Sequence, residues 1–440
     1  DENGIDQFYE NETDNYKQDH AQLLWNETWN TRWSTNFALH YTRGRGYFEQ
    51  FKEDDDFETY GFTPIEVDGA EVNTTDVIRR RWLDNDFYGT VFSANYKDEN
   101  IDFIVGGGLN NYVGDHFGEI IWARFAGNSN IRDRYYEDRS TKTDFNIFTK
   151  ANYSLNQQWS LFGDLQYRSV DFTANGEDTG VVDDTFNFFN PKAGITFDMN
   201  RNNNFYFSYA VANREPNRND YENGSPKPER LNDFELGWRY INPKVQINTN
   251  AYYMRYKDQL VLTGGLNDVG APLRQNVGDS YRLGLEIDAA IQIGDIFKIQ
   301  PNVALSTNKN VDYFIEGATG LEALGDTDIA FSPNLIIGNM LSYVPNNHLQ
   351  ISLLTKYVGK QFMNNIQDEN SVLKAYSQTD FNVQYTIPMN SFAKSIAFSG
   401  LVNNIFNSDI VSNGADYGGG FVVFYPQAGA NFLLGATVRF

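Results

Sequence analysis

The chain has 440 residues and a formal net charge of −23, with 34 Phe, 27 Tyr and no Cys. That charge argues against a nucleic-acid partner, which needs a basic footprint, and the missing Cys excludes disulfides, thiolate metal sites and cysteine nucleophiles. The length exceeds the usual ceiling for one soluble core, so it implies several soluble domains or one large repetitive architecture; no run of ~18 apolar residues offers a transmembrane helix.

The opening Asp1–Gln7 is polar and loop-like, without a signal-peptide pattern, so the chain is expected to begin after processing or inside a longer protein. A first strand is expected over 19–29, closing at the turn Asn30–Ser34. The next, over 36–51, runs into a long acidic stretch at 52–79. A strand over 81–97 returns to a tight turn at Asp98–Asn100, and one over 102–125 climbs to a loop at 126–139. Short turns follow near Asn156–Gln158, Asn200–Asn203, Asn242–Lys244, Gly294–Asp295, Pro345–Asn347 and Pro388–Asn390. Long loops are expected near 173–187, 214–229, 262–277, 310–328, 363–372 and 410–426. They contain the turn-forming pairs Asn175-Gly176, Asn223-Gly224 and Asn413-Gly414. Short and long connections alternate, which puts all short turns at one end of the strands. The strands themselves are longer than the ~5–6 residues of ordinary globular sheets.

Within the strands, apolar and polar residues alternate. Tyr281, Leu283, Leu285, Ile287, Ala289 and Ile291 share one face; Arg282, Gly284, Glu286 and Asp288 share the other. Phe234, Leu236, Trp238 and Tyr240 oppose Asp233, Glu235, Gly237 and Arg239, and Trp159, Leu161, Leu165 and Tyr167 oppose Ser160, Asp164, Gln166 and Arg168. The last stretch puts Phe432, Leu434, Ala436, Val438 and Phe440 together. A soluble sandwich alternates in the same way. About seventeen such strands, however, carry more apolar face than one sandwich can bury, whereas a large barrel facing lipid uses all of it. The fold class expected is therefore all-β, a large antiparallel transmembrane β-barrel. Bacterial barrels have even strand counts, so the pattern fits the last ~17 of a probable ~22 strands.

Several stretches resemble TonB-dependent outer-membrane receptors, in the siderophore-receptor-like branch and the form found in Bacteroidota. They are Asp14–Trp25 with Ala38–Phe51, Asn190–Phe197 with Tyr209–Pro216, Lys227–Trp238, Asn276–Glu286 and Val402–Asn407, and together they span essentially the whole chain. The resemblance implies that residues 1–440 are the C-terminal part of the receptor barrel, with the plug domain, its energy-coupling box and about five strands lying upstream. It implies a multi-pass protein of the cell outer membrane that takes up a scarce ligand, an iron–siderophore or similar chelate. Its implied partners are the TonB energy-coupling complex acting through the plug, the small chelate, outer-membrane lipid and lipopolysaccharide, and the barrel-assembly machinery. The terminal residues Gly435, Val438 and Phe440 match the signal read by that machinery. A passive porin-like channel is the alternative.

External loops are where ligand contact is expected, and Tyr60, Arg134, Tyr135, Tyr136, Arg214 and Tyr221 are the candidates. Arg43 and Arg45 share the parity of Phe37, Leu39 and Tyr41, so they face lipid phosphates or solvent. Asp164, Arg168, Glu235, Arg239, Glu286 and Asp288 are expected to form ladders of opposite charge on a wet wall. The run Glu53–Asp56 suits a cation or a solvated loop. His20, His40, His116 and His348 show no ligand-pair spacing. No catalytic, cofactor or metal site is expected, and the chain does not read as an enzyme.

Overall fold

The computed structural model describes residues 9–67, 69–176, 179–222, 224–267, 270–317, 320–389 and 392–440. The first strands are β1 (Thr13–Thr28), β2 (Trp33–Asp56), β3 (Ile65–Val67), β4 (Ala70–Val72), β5 (Thr74–Lys97), β6 (Ile101–Ala123), β7 (Arg134–Ser154), β8 (Trp159–Gly176) and β9 (Gly180–Asn200). Next come β10 (Asn203–Arg214), β11 (Glu229–Ile241), β12 (Val245–Lys257), β13 (Leu260–Leu266), β14 (Pro272–Asn276), β15 (Asp279–Ile293), β16 (Phe297–Gly317) and β17 (Gly320–Asp328). The last are β18 (Leu335–Asn346), β19 (Leu349–Val358), β20 (Gln361–Phe362), β21 (Val372–Leu373), β22 (Tyr376–Pro388), β23 (Ser395–Asn403), β24 (Val411–Asp416), β25 (Val422–Pro426) and β26 (Asn431–Arg439). Eighteen of these belong to one antiparallel sheet, and the pairs β3–β4, β13–β14, β20–β21 and β24–β25 are separate hairpins. The eighteenth strand arises because β16 pairs with β18 over Phe297–Leu305 and with β17 beyond Lys309. Thus β17 is a hairpin partner of the strand's outer half, and the other seventeen agree with the count from alternation.

Contacts divide the chain into two units. The first comprises residues up to Lys150 with Leu165–Phe189; the second comprises Ala151–Asp164 with Asn190–Phe440. In the first, β1, β2, β5 and β6 pair in succession. Register sets aromatics directly opposite one another: Trp33 against Tyr96, Phe37 against Phe92, Tyr41 against Tyr88 and Tyr47 against Trp82. In the second, the ladder runs from β9 through β10, β11, β12, β15, β16, β18, β19, β22 and β23 to β26.

The short turns lie where the sequence places them, and one side chain explains most of them. Asn30, Asn156, Asn200, Asn242 and Asn346 each accept hydrogen bonds on Oδ1 from the backbone amides two and three residues on. This Asx turn closes the hairpin locally. Asn223, Asn390 and the opening segment through residue 8 lie outside the described residues. The regions near 173–187 and 310–328 are not the long loops expected: strands β8, β9, β16 and β17 extend through them. In β8 the apolar residues change faces there: Leu161, Leu165 and Tyr167 are exposed on one face, whereas Val170, Phe172 and Ala174 on the other are buried, so the strand outlasts its lipid-facing alternation.

The two faces of the sheet differ as alternation predicts. Leu283, Leu285 and Ile287 are 49%, 39% and 37% exposed, and Phe37, Leu39, Phe92, Leu109, Phe234, Leu236, Phe398, Leu434 and Val438 are exposed too. The clusters of buried apolar residues lie in the loops instead, around Phe57, Tyr60 and Phe62 in the first unit and around Val261, Tyr313 and Ile329 in the second. A sandwich would bury its apolar face against a second sheet. Here, among the described residues, that face stays exposed, so it requires an apolar solvent.

Candidate functional site

The polar face of the strands is built from tyrosines laid over glycines. In the second unit Tyr206 covers Gly237 on the neighbouring strand, where an added Cβ would collide with the ring. The Tyr206 hydroxyl donates to Asn250 Oδ1 at 3.0 Å, and the Arg239 guanidinium sits 4.8 Å from the ring centroid. Tyr252 covers Gly284 in the same way, and in the first unit Tyr16 covers Gly44. A glycine inside a strand weakens it unless a neighbour's ring fills the gap. These pairs were not read from the sequence, although Gly at a polar-face position mid-strand is the signal that would have found them.

The charges on this face are partnered differently from the ladders expected. Arg168 Nη2 meets Asp144 Oδ2 of β7 at 2.6 Å, a cross-strand pair with a residue outside the expected set. Arg239 stacks on Tyr206, and Asp288 accepts from Asn248 Nδ2 at 2.8 Å. On the apolar face, Arg43 bridges Asp84 at 2.5 Å and Asp86 at 2.6 Å, and Arg45 reaches Asp84 at 3.4 Å. Those two arginines are therefore held by carboxylates of β5.

At the loop end of the first unit, Tyr60 is 4% exposed and donates to Asp55 Oδ2 at 2.6 Å. Burial, and then the bond to Asp55, push its phenol far above the ordinary tyrosine range, so it stays protonated. Tyr135 packs edge-on against Tyr60, and the buried Tyr136 accepts from Arg81 Nε at 3.1 Å. Arg134 lies over the Phe117 ring at 3.7 Å and bonds Glu137. Within the acidic run Asp54 accepts from Thr74 and Asp55 from Tyr60, while Glu53, Asp54 and Asp56 stay exposed. Of the six expected ligand contacts, the three tyrosines of this unit are thus packed against one another at its loop end, with Tyr135 and Tyr136 in β7 and not in the loop expected over 126–139.

In the second unit the loops interlock through buried polar side chains. Asn365 is 2% exposed; its Nδ2 donates to Leu262 O at 2.7 Å and its Oδ1 accepts from the Ala330 amide at 3.0 Å and from Asn310 Nδ2 at 3.3 Å. Asn310 also donates to Thr327. Met363 is fully buried and packs on Gly264 and Gly414, neither of which leaves room for a Cβ. Asn364 Nδ2 and the Gly418 amide donate to Asp416 at 2.7 and 2.8 Å. Burial opposes ionisation of that carboxyl, but the Ser371 hydroxyl, Asn364 and the Gly418 amide together prevail and hold it below its ordinary value. Tyr221 is the buried last residue of the four-residue helix α1 (Arg218–Tyr221), which Asn217 and Asp220 cap reciprocally. Arg214 remains half exposed, with both Nε and Nη2 on Glu229 at 3.0 Å.

The model of the family described as "TonB dependent receptor-like, beta-barrel" matches residues 1–405. The chain belongs to this family. It is accordingly a β-barrel protein of the outer membrane: the exposed apolar face meets lipid and the polar face lines the lumen. No curated protein sequence matches it. Among solved structures, the ferric-catecholate import receptor Fiu of E. coli K12 shares its fold at TM-score 0.69 and 14% identity, covering 98% of this chain and 65% of that one. The copper transporter OprC aligns at TM-score 0.72 and 14% identity over 96% of this chain and 65% of that one. The ferric citrate transporter FecA aligns at TM-score 0.69 and 16% identity over 96% and 61%. The chain thus spans a little under two thirds of these receptors' lengths. Members of the family are receptors and transporters rather than enzymes. In β26 the lipid-facing row is Phe432, Leu434, Ala436 and Val438, set against Val402, Gly400, Phe398 and Ile396 of β23, and Gly435 lies against Ser399.

Proposed function

We propose that the complete protein is a gated receptor for TonB-dependent active uptake of a scarce ligand, an iron–siderophore or similar chelate. Membership of the receptor family carries this reading. The polar lumen face and the interlocked external loops support it, because a receptor must present preorganised groups to a dilute ligand. Arg214, half exposed at the loop end, is the candidate best placed for contact; Tyr60, Tyr135, Tyr136 and Tyr221 hold the loops in shape, and Arg134 braces Phe117. An upstream plug engages the TonB complex in this reading. Gly435, Val438 and the exposed Phe440 present the terminal strand to the barrel-assembly machinery, and Phe440→Ala lowers the amount of folded protein in the outer membrane.

The test is uptake of radiolabelled ferric chelates by cells carrying the full-length gene, with and without a working TonB complex. Accumulation that depends on both the gene and TonB is expected. Accumulation that needs the gene but not TonB would make the protein a passive channel. No gene-dependent accumulation of any iron chelate would sink the chelate assignment.

A further inference from the structure

A cleft of about 620 Å³ opens on the lipid-facing side of the second unit, at the loop end of β11, β12 and β15. The register of these strands arranges its walls in rows. The row nearest the loops is Arg230, Lys257 and Asp279; the next is Asn232, Arg255 and Tyr281. Below them come Phe234, Tyr253 and Leu283, and then Leu236, Ala251 and Leu285. Within four rows the surface passes from cationic through aromatic to aliphatic. The Tyr209 ring lies tilted 4.7 Å from that of Phe234, and its hydroxyl donates to Asn232 Oδ1 at 2.9 Å, so the aromatic row is tied to the polar one.

The charges in this cleft do not balance. Arg255 reaches Asp279 at 3.5 Å, but among the described residues Arg230 and Lys257 have no carboxylate partner. Elsewhere on this face, in the first unit, Arg43 and Arg45 are held by Asp84 and Arg80 by Glu49. In a chain of net charge −23, three cations facing one carboxylate at a membrane boundary call for an anion from outside. We infer that this cleft binds a phosphorylated lipid of the external leaflet, with its phosphate between Arg230, Lys257 and Arg255 and its acyl chains along Phe234, Tyr253, Leu283 and Leu285. The apolar rows directly beneath the cations distinguish a lipid from a free anion: acyl chains laid there gain contact area that inorganic phosphate cannot. The external leaflet follows from position, because the cleft lies at the end of the strands that carries the long loops. This inference rests on the barrel's place in the outer membrane and not on transport, so it stands or falls separately from ligand uptake.

The experiment titrates the purified full-length protein in detergent with lipid A bearing two phosphates, with its dephosphorylated form, with phosphatidylglycerol and with inorganic phosphate, reading bound ligand by native mass spectrometry. Saturable binding of the phosphorylated lipid A is expected, with affinity at least tenfold lower for the dephosphorylated form and for phosphatidylglycerol. The double variant Arg230→Gln/Lys257→Gln loses at least tenfold in affinity while its melting temperature stays unchanged; Lys374→Gln, which removes an exposed charge in a loop, binds as wild type. Equal binding of dephosphorylated lipid or of phosphatidylglycerol overturns the assignment. So does inorganic phosphate binding as tightly as the lipid, or a double variant that binds unchanged.

Discussion

Replacing Asn365 by Ala tests whether the external loops of the second unit are one locked body. The side chain is buried and joins three segments: the Leu262 carbonyl, the Ala330 amide and the Asn310 side chain. Ala removes all three bonds at once. The two backbone groups are left without their partner, at about 1–3 kcal/mol each. Asn310 retains Thr327 Oγ1 at 3.1 Å and adds less. The expected loss is therefore about 2–6 kcal/mol, and its lower end already means ~30-fold more frequent opening. That opening is local, because the strand ladders do not pass through Asn365. Hydrogen exchange on the full-length protein in detergent reads it directly. Amides in 260–276, 327–333 and 361–373 should lose protection by ~30-fold or more, while those in β11, β12 and β15 keep theirs. Asn365→Asp retains the acceptor for Ala330 but loses the donor to Leu262, so it should fall between wild type and Ala. Unchanged exchange in the three loops, or an equal loss throughout the wall, would refute the lock.

Three further outcomes follow from the same geometry. Gly237→Val should displace Tyr206, breaking its bond to Asn250 and its contact with Arg239; a loss of about 1–3 kcal/mol is expected in urea unfolding from micelles, and Tyr206→Ala combined with it should show little additional loss. Asn242→Ala removes the acceptor for the Lys244 and Val245 amides, which lie at a solvated turn, so about 1 kcal/mol is expected and the assembled fold should survive. The Asp416 carboxyl titrates below its ordinary value of 3.8 in the folded protein, so its contribution is fully present above that pH and is lost as the pH falls through the lower folded value. Proteolysis of the loop 411–426 should therefore accelerate under strong acid in wild type, and Asp416→Asn should flatten that dependence.

Sequence alone determined the features that rest on neighbours in the chain. Strand after strand, residues two apart share a face, so the apolar row of Leu283, Leu285 and Ile287 is legible without coordinates. Turn positions were legible for the same reason: the Asn242 side chain bonds amides only two and three residues away. Even the strand count survived, because each strand carries its own periodicity. Tertiary structure alone decided what the loops do. Tyr60, Tyr136 and Tyr221 lie at the loop end of the strands, where ligands are met, yet each is buried. Asn365 and Leu262 are 103 residues apart, and nothing local in either marks the bond between them. The same holds for Tyr206 over Gly237 and for the unpaired cations of the lipid-facing cleft. Those depend on register between strands, which sets who stands opposite whom; alternation along one strand fixes only which way each side chain points.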